Sequence, residues 1–106
     1  MTGIVSVYAT FPNSEEARSI ARTLVEEGLA ACANILGECH SIYRWEGRVE
    51  EGAEVAAIFK TSAAGARPMI ERLRALHSYD VPATVVWNIE DVPLDYLRWV
   101  MENSPR

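Results

Sequence analysis

Apolar and polar positions follow two rhythms along this chain. Residues Ile4 to Phe11, IVSVYATF, are β-branched and aromatic and apolar on both faces, which predicts a central strand ended by Pro12. From there the rhythm turns helical. Ala17, Ile20, Ala21, Leu24 and Val25 recur at helix spacing, with Asn13 and Glu16 patterned as a capping box and Gly28 as the stop. Leu29 to Ser62 then reads as one long β-hairpin turning at Glu46-Gly47, an acid-Gly pair resembling the Asp-Gly signal of a type I′ turn. Each arm can reach about 14 residues, against roughly 5–6 for an ordinary strand. Arms of that length outgrow a small domain and leave an edge for something to cover.

Gly37 interrupts the first arm, where a bulge or bend flips the alternation of side chains. Beyond it Cys39, Ser41, Tyr43 and Trp45 share one face, and His40, Ile42 and Arg44 the other. Without a further bulge, the turn at Glu46-Gly47 sets Cys39 opposite Glu54. Helical spacing returns at Ala66, Met69, Ile70 and Leu73, running on to Leu76 or His77. A short strand is expected from about Ala83 to Ile89, with Pro82 at its start. Asp91 and Pro93 announce a last helix, its contacts drawn from Leu94, Leu97, Val100 and Met101. The order is β-α-β-β-α-β with an extra C-terminal helix: an α+β, ferredoxin-like sandwich filling residues 1–106 as one domain.

Composition narrows the function classes. Hydrophobic content of 49% with 24% charged residues fits a folded globule, and no segment approaches the roughly 20 apolar residues of a membrane span. Ten basic residues against 15 acidic give a net charge of -5, which opposes nucleic-acid binding through phosphate neutralisation. Cys32 and Cys39 lie about 23 Å apart on an extended arm, too far to pair, and free thiols without a signal-like N-terminus point to the cytoplasm. No Gly-rich phosphate loop, GxSxG elbow or protease-type cysteine motif is present, so a non-enzymatic role is expected.

Four stretches then carry a family resemblance: ARSIARTLVEEGLAACANI (17–35), SIYRWEGRVEEGAEVAAIFKTS (41–62), HSYDVP (77–82) and DYLRWV (95–100). In this order and spacing they resemble the CutA divalent-cation tolerance proteins. The resemblance implies a trimer of ferredoxin-like subunits whose hairpin arms add to their neighbours' sheets. It also implies a relation to metal ions, copper among them. Three positions depart from the family's usual pattern: Gly37-Glu38-Cys39-His40, Ser78 between the histidine and tyrosine, and Ala83 after Val-Pro. The last removes a carboxylate from the expected cleft.

The candidate metal donors are Cys32, Cys39 and His77, since thiolate and imidazole suit copper and zinc. Their spacing offers no closed site within one chain. Each also has a structural reading: Cys32 as a small buried hydrophobe, Cys39 as hairpin packing, His77 as a stabiliser of the second helix's last carbonyls. His40, beside Cys39, should point to the opposite face. The candidate cleft residues are Lys60, Tyr79, Trp45, Tyr43 and Glu54, with His77 and Tyr79 expected between subunits near Lys60 and Trp45 if the family layout holds. The base of the hairpin, around Cys32 and Lys60, is expected to face that cleft, and the tip to be assembly surface. Lys60, in the apolar run AAIFKTS, either snorkels or binds an anion. The competing reading is a trimeric regulator or scaffold, similar in architecture to the PII signalling trimers, holding a small anion or metabolite or engaging a protein partner.

Overall fold

The computed structural model describes residues 2–106. Its element order is β1 (Ile4–Phe11), α1 (Ser14–Glu26), β2 (Cys32–Trp45), β3 (Arg48–Ser62), α2 (Ala66–Leu76), β4 (Thr84–Asn88) and α3 (Leu94–Glu102). The four strands form one antiparallel sheet in the order β2-β3-β1-β4, so the strand that is apolar on both faces is flanked on both sides. Alternation along β1 and β3 sends Val5, Val7, Ala9, Phe11, Val55, Ala57 and Phe59 to one face. There they bury Ile20 and Leu24 of α1 and Met69 and Leu73 of α2. A smaller cluster of Ile4, Ala31 and Val100 seats α3 against the base of the opposite face. The remainder of that second face is open.

Local signals explain the boundaries. The Asn13 side chain accepts the Glu16 N–H at 2.8 Å, capping α1, while Gly28 adopts φ 74 as the chain leaves the helix. Only half of the expected capping box forms. The Glu16 carboxylate instead accepts the Ser78 N–H and hydroxyl, both at 3.0 Å, tying α1 to the loop after α2. At the hairpin tip Glu46 and Gly47 have φ 50 and 79, the pair of positive angles a type I′ turn requires. The register breaks between Ile35 and Gly37, leaving Leu36 as the extra residue of a bulge. That bulge lets Ala33 and Ile35 face the helices while Cys39, Tyr43 and Trp45 face the open side.

Three expectations need correcting here. The strand starts at Cys32 rather than Leu29, because residues 29–31 turn out of the α1 stop; the Leu29 and Ala30 N–H groups bond back to the Leu24 carbonyl. Leu94 is 59% exposed at the first turn of α3, so Val100, with Leu97 and Met101 beside it, carries that helix's packing. β4 is also shorter than expected and lies at one sheet edge. The other edge is the full length of β2.

Candidate functional site

The open face holds most of the chemistry that the sequence singles out, divided into two groups. Past the end of β1 the hairpin continues as a two-stranded ribbon, and the loop after α2 folds toward it. Between ribbon and loop lies a cleft of about 640 Å³ with Tyr8 and Thr10 on its floor. Ser41, Tyr43 and Trp45 of β2, Tyr79 of the loop, and Glu54 and Asp80 complete its polar and aromatic lining. Cys39 sits opposite Glu54 in the ladder, as the unbulged distal register requires.

The loop is held in place by His77. Its ring is buried and stacks on Phe11 with centroids 5.0 Å apart. Nε2 donates to the Thr10 carbonyl at 2.8 Å, and Nδ1 accepts the Tyr79 N–H at 3.0 Å. This pattern defines one neutral tautomer with both nitrogens engaged. The Glu16 carboxylate stands 3.5 Å from Nδ1. The imidazole therefore does not reach the last carbonyls of α2, as the sequence suggests it should; it turns back onto β1 and fixes the start of the loop.

Two residues on, the Tyr79 hydroxyl donates to Glu54 at 2.9 Å. Burial first, then that hydrogen bond and the Glu54 charge, push the Tyr79 phenol up to about 12. It stays a donor to Glu54 through the physiological range. Burial also pushes the Tyr8 phenol up, with the neighbouring Cys39 and Glu54 adding to the shift.

The second group lies at the base, away from the cleft. The Cys32 thiol meets the Tyr96 hydroxyl at 3.6 Å, and the Lys60 ammonium donates to the Asn34 side chain at 2.9 Å. That thiol contact first, then burial, push the Tyr96 phenol up to about 12. Lys60 does not line this cleft, which is formed within one chain; the distal arm lines it. His40 points away from Cys39, as alternation predicts, and pairs with Glu51 at 2.7 Å.

The metal candidates do not converge in one chain. Cys32 is at the base, Cys39 on the distal ribbon and His77 behind the loop with both nitrogens used. Among the described residues no group of three or more His, Cys, Asp or Glu side chains is arranged to hold an ion. These donors do not fit a closed site without others from outside the chain. Sequence reasoning also passed over Tyr8, Thr10, Asp80 and Tyr96. The one sequence signal for Tyr8 and Thr10 is their place on the β1 face opposite the helix-packing positions.

Comparison with known proteins gives one consistent result. The family model for CutA1 divalent ion tolerance protein matches residues 5–103. A divalent-cation tolerance protein CutA from Pyrococcus horikoshii is 44% identical over 103 residues, covering 97% of this chain and 100% of that protein. The solved divalent cation tolerance protein from Thermus thermophilus superposes with a TM-score of 0.93 at 43% identity, covering 96% of this chain and 99% of that one. A structure from Archaeoglobus fulgidus described as a periplasmic divalent cation tolerance protein superposes with a TM-score of 0.91 at 36% identity, over 94% and 97% of the two chains.

Proposed function

The chain belongs to the CutA1 divalent ion tolerance family, and from that premise we propose that it is a non-enzymatic homotrimer binding copper or another divalent cation weakly in the cytoplasm. The observation that carries the metal reading is the cross-strand pair of Cys39 and Glu54 on the open sheet face. A thiol beside a carboxylate offers soft and hard donors to a borderline ion, and an exposed face lets a neighbouring subunit complete the coordination. Cys32 is the second thiol donor in this reading. His77 is a weaker choice, because coordination through either nitrogen breaks a buried hydrogen bond to Thr10 or Tyr79.

Calorimetric titration of the assembled protein with Cu(I), Cu(II) and Zn(II) tests the proposal. Cys39→Ser is expected to abolish the specific heat and Cys32→Ser to reduce it. His77→Ala is expected to leave the heat in place while lowering unfolding stability by about 2–4 kcal/mol, from lost stacking and two orphaned partners. Absence of any heat above the dilution control would sink the metal reading.

One observation favours the second reading, a trimeric regulator whose clefts hold a small metabolite. The 640 Å³ cleft lies within the range of small-molecule sites, and aromatic side chains form much of its wall. Native mass spectrometry of protein purified without added ligand separates the two readings: retained metal supports the first, a retained organic mass the second. A partner that stays bound through chelator treatment in a pull-down would instead assign the trimer a scaffolding role.

A further inference from the structure

The residues that follow α3 double back onto the turn between β3 and α2. α3 has little of its own to hold it. It is nine residues long, below the roughly 12–15 at which an isolated helix becomes stable, Pro93 at its N-cap gives no side-chain cap, and only Val100 is buried. The segment after it supplies what is missing. The Asn103 side-chain amide donates to the Trp99 carbonyl at 2.8 Å, and the Ser104 hydroxyl donates to that of Val100. The same Ser104 oxygen accepts the Ser62 N–H at 3.1 Å, so one hydroxyl joins the last turn of α3 to the last residue of β3. One residue on, the Pro105 carbonyl accepts the Ser62 hydroxyl, which in turn accepts the Gly65 N–H at 3.0 Å. Both serine hydroxyls thus donate once and accept once. α3 lies on the open face and α2 on the covered one, so this chain of bonds runs round the end of the sheet and ties one layer to the other.

Gly65 is where this segment seats. Its φ of -82 and ψ of -12 are open to any residue, so backbone freedom does not explain a glycine there. Space does. A Cβ at this position would stand 2.7 Å from Cδ and 3.1 Å from Cγ of Pro105, and 2.5 Å from the Thr61 hydroxyl, which is itself fixed by donating to the Leu29 carbonyl at 2.8 Å. We propose that residues 103–105 are a latch that locks α3 across the end of the sheet, with Gly65 as its seat, and that release of this latch is the local opening by which α3 leaves the base of the open face. Opening there gives up the two bonds to Ser62, one proline contact and the small apolar seat of α3, while the helix-covered core stays intact. Its consequence falls on Cys32. Latched, α3 covers Ile4 and Ala31 and holds the Tyr96 hydroxyl 3.6 Å from the Cys32 thiol; released, it takes the phenol with it.

Amide hydrogen exchange of the full chain in its native assembly, compared between variants at one protein concentration, tests the latch. Ser104 and Pro105 are half-buried and lie outside the main core, so changing them leaves the fold in place. Ser104→Ala removes the bridging hydroxyl and is expected to speed exchange in residues 97–103 by about fivefold, the worth of one net hydrogen bond, with β1 and β3 unchanged. Pro105→Ala is expected to act in the same direction. Gly65→Ala should act more strongly, but it also crowds Thr61, so it is read against Pro105→Ala. Removing the proline ring relieves one clash and leaves the other, which is common to both backgrounds and cancels in a double-mutant cycle. Gly65→Ala is therefore expected to speed α3 exchange several-fold less in the Pro105→Ala protein than in the parent. An additive cycle would overturn Gly65 as the seat. Exchange in residues 97–103 that neither Ser104→Ala nor Pro105→Ala alters would overturn the latch itself. Exchange that quickens equally in β1, β3 and α3 would overturn it too, because the segment would then stabilise the whole fold and not a separable helix.

Discussion

Tyr79 and Glu54 illustrate how one contact can carry both position and charge. The phenol donates to the carboxylate at 2.9 Å and is pushed up to about 12, with burial the largest cause. In an unfolded chain tyrosine titrates near 10. The folded state therefore holds the proton more tightly, so the stabilisation is complete below about pH 10 and is lost as pH rises from about 10 through 12. Tyr96 contributes to the same window through its contact with Cys32, so the difference between variants is the useful quantity. Glu54→Gln is expected to bring the Tyr79 titration part of the way back toward 10, because burial remains when the carboxylate is gone. Phenolate absorbance followed against pH in both proteins measures this directly. An unchanged titration curve would show that the carboxylate does not hold the phenol.

At the scale of elements, much of the fold was legible because its signals are local. The bounds of β1, the Asn13 cap, the Gly28 stop, the Glu46-Gly47 turn and the bulge beside Gly37 follow from residues within a few positions of one another. The cleft was not legible, since Tyr8, Glu54 and Tyr79 meet only after β1, β3 and the loop after α2 have been assembled. No spacing in the sequence encodes that meeting. Lys60 is informative only in part for a related reason: an unusual residue in an apolar strand marks the open face without saying which end of it forms a cleft within the chain. The turn offers a test of its own. A Cβ added at Gly47 would touch nothing within 4 Å, so the cost of Gly47→Ala is purely that of holding φ 79. That cost is about 1 kcal/mol. Because the distal ribbon is far from the helix-covered core, the loss should appear as faster amide hydrogen exchange in residues 41–53 with little change in β1. Uniformly faster exchange through β1 and β3 would mean that the ribbon and the core unfold as one unit.

The whole molecule carries an excess of length that its own core does not use. Its Cα radius of gyration is 14.2 Å and its extents are 44 × 25 × 22 Å, whereas a compact chain of this length has a radius near 13 Å. The hairpin accounts for the difference, and its outer strand β2 offers 14 residues of unpaired edge. Near its tip Ile42 and Val49 are exposed on one face of the ribbon and Tyr43 and Trp45 on the other, while Val85, Val86, Trp87 and Trp99 are exposed toward the opposite edge. Exposed apolar side chains at opposite ends of one sheet suit a head-to-tail contact that closes on itself, the arrangement a cyclic trimer requires. On the proposed assembly, Ile42→Glu places a charge in that contact. Ile42 is 66% exposed in the single chain, so the substitution should change monomer stability by less than about 0.5 kcal/mol. Sedimentation of the parent protein is expected to give a trimer and that of the variant a monomer or a weakened, concentration-dependent equilibrium. Thermal unfolding should separate in the same way, since stability borrowed from association rises with protein concentration only where subunits associate. A variant that sediments as a trimer with an unaltered melting transition would remove the distal ribbon from the contact. The unpaired β2 edge and Trp87 at the far side would then be the next places to put the charge.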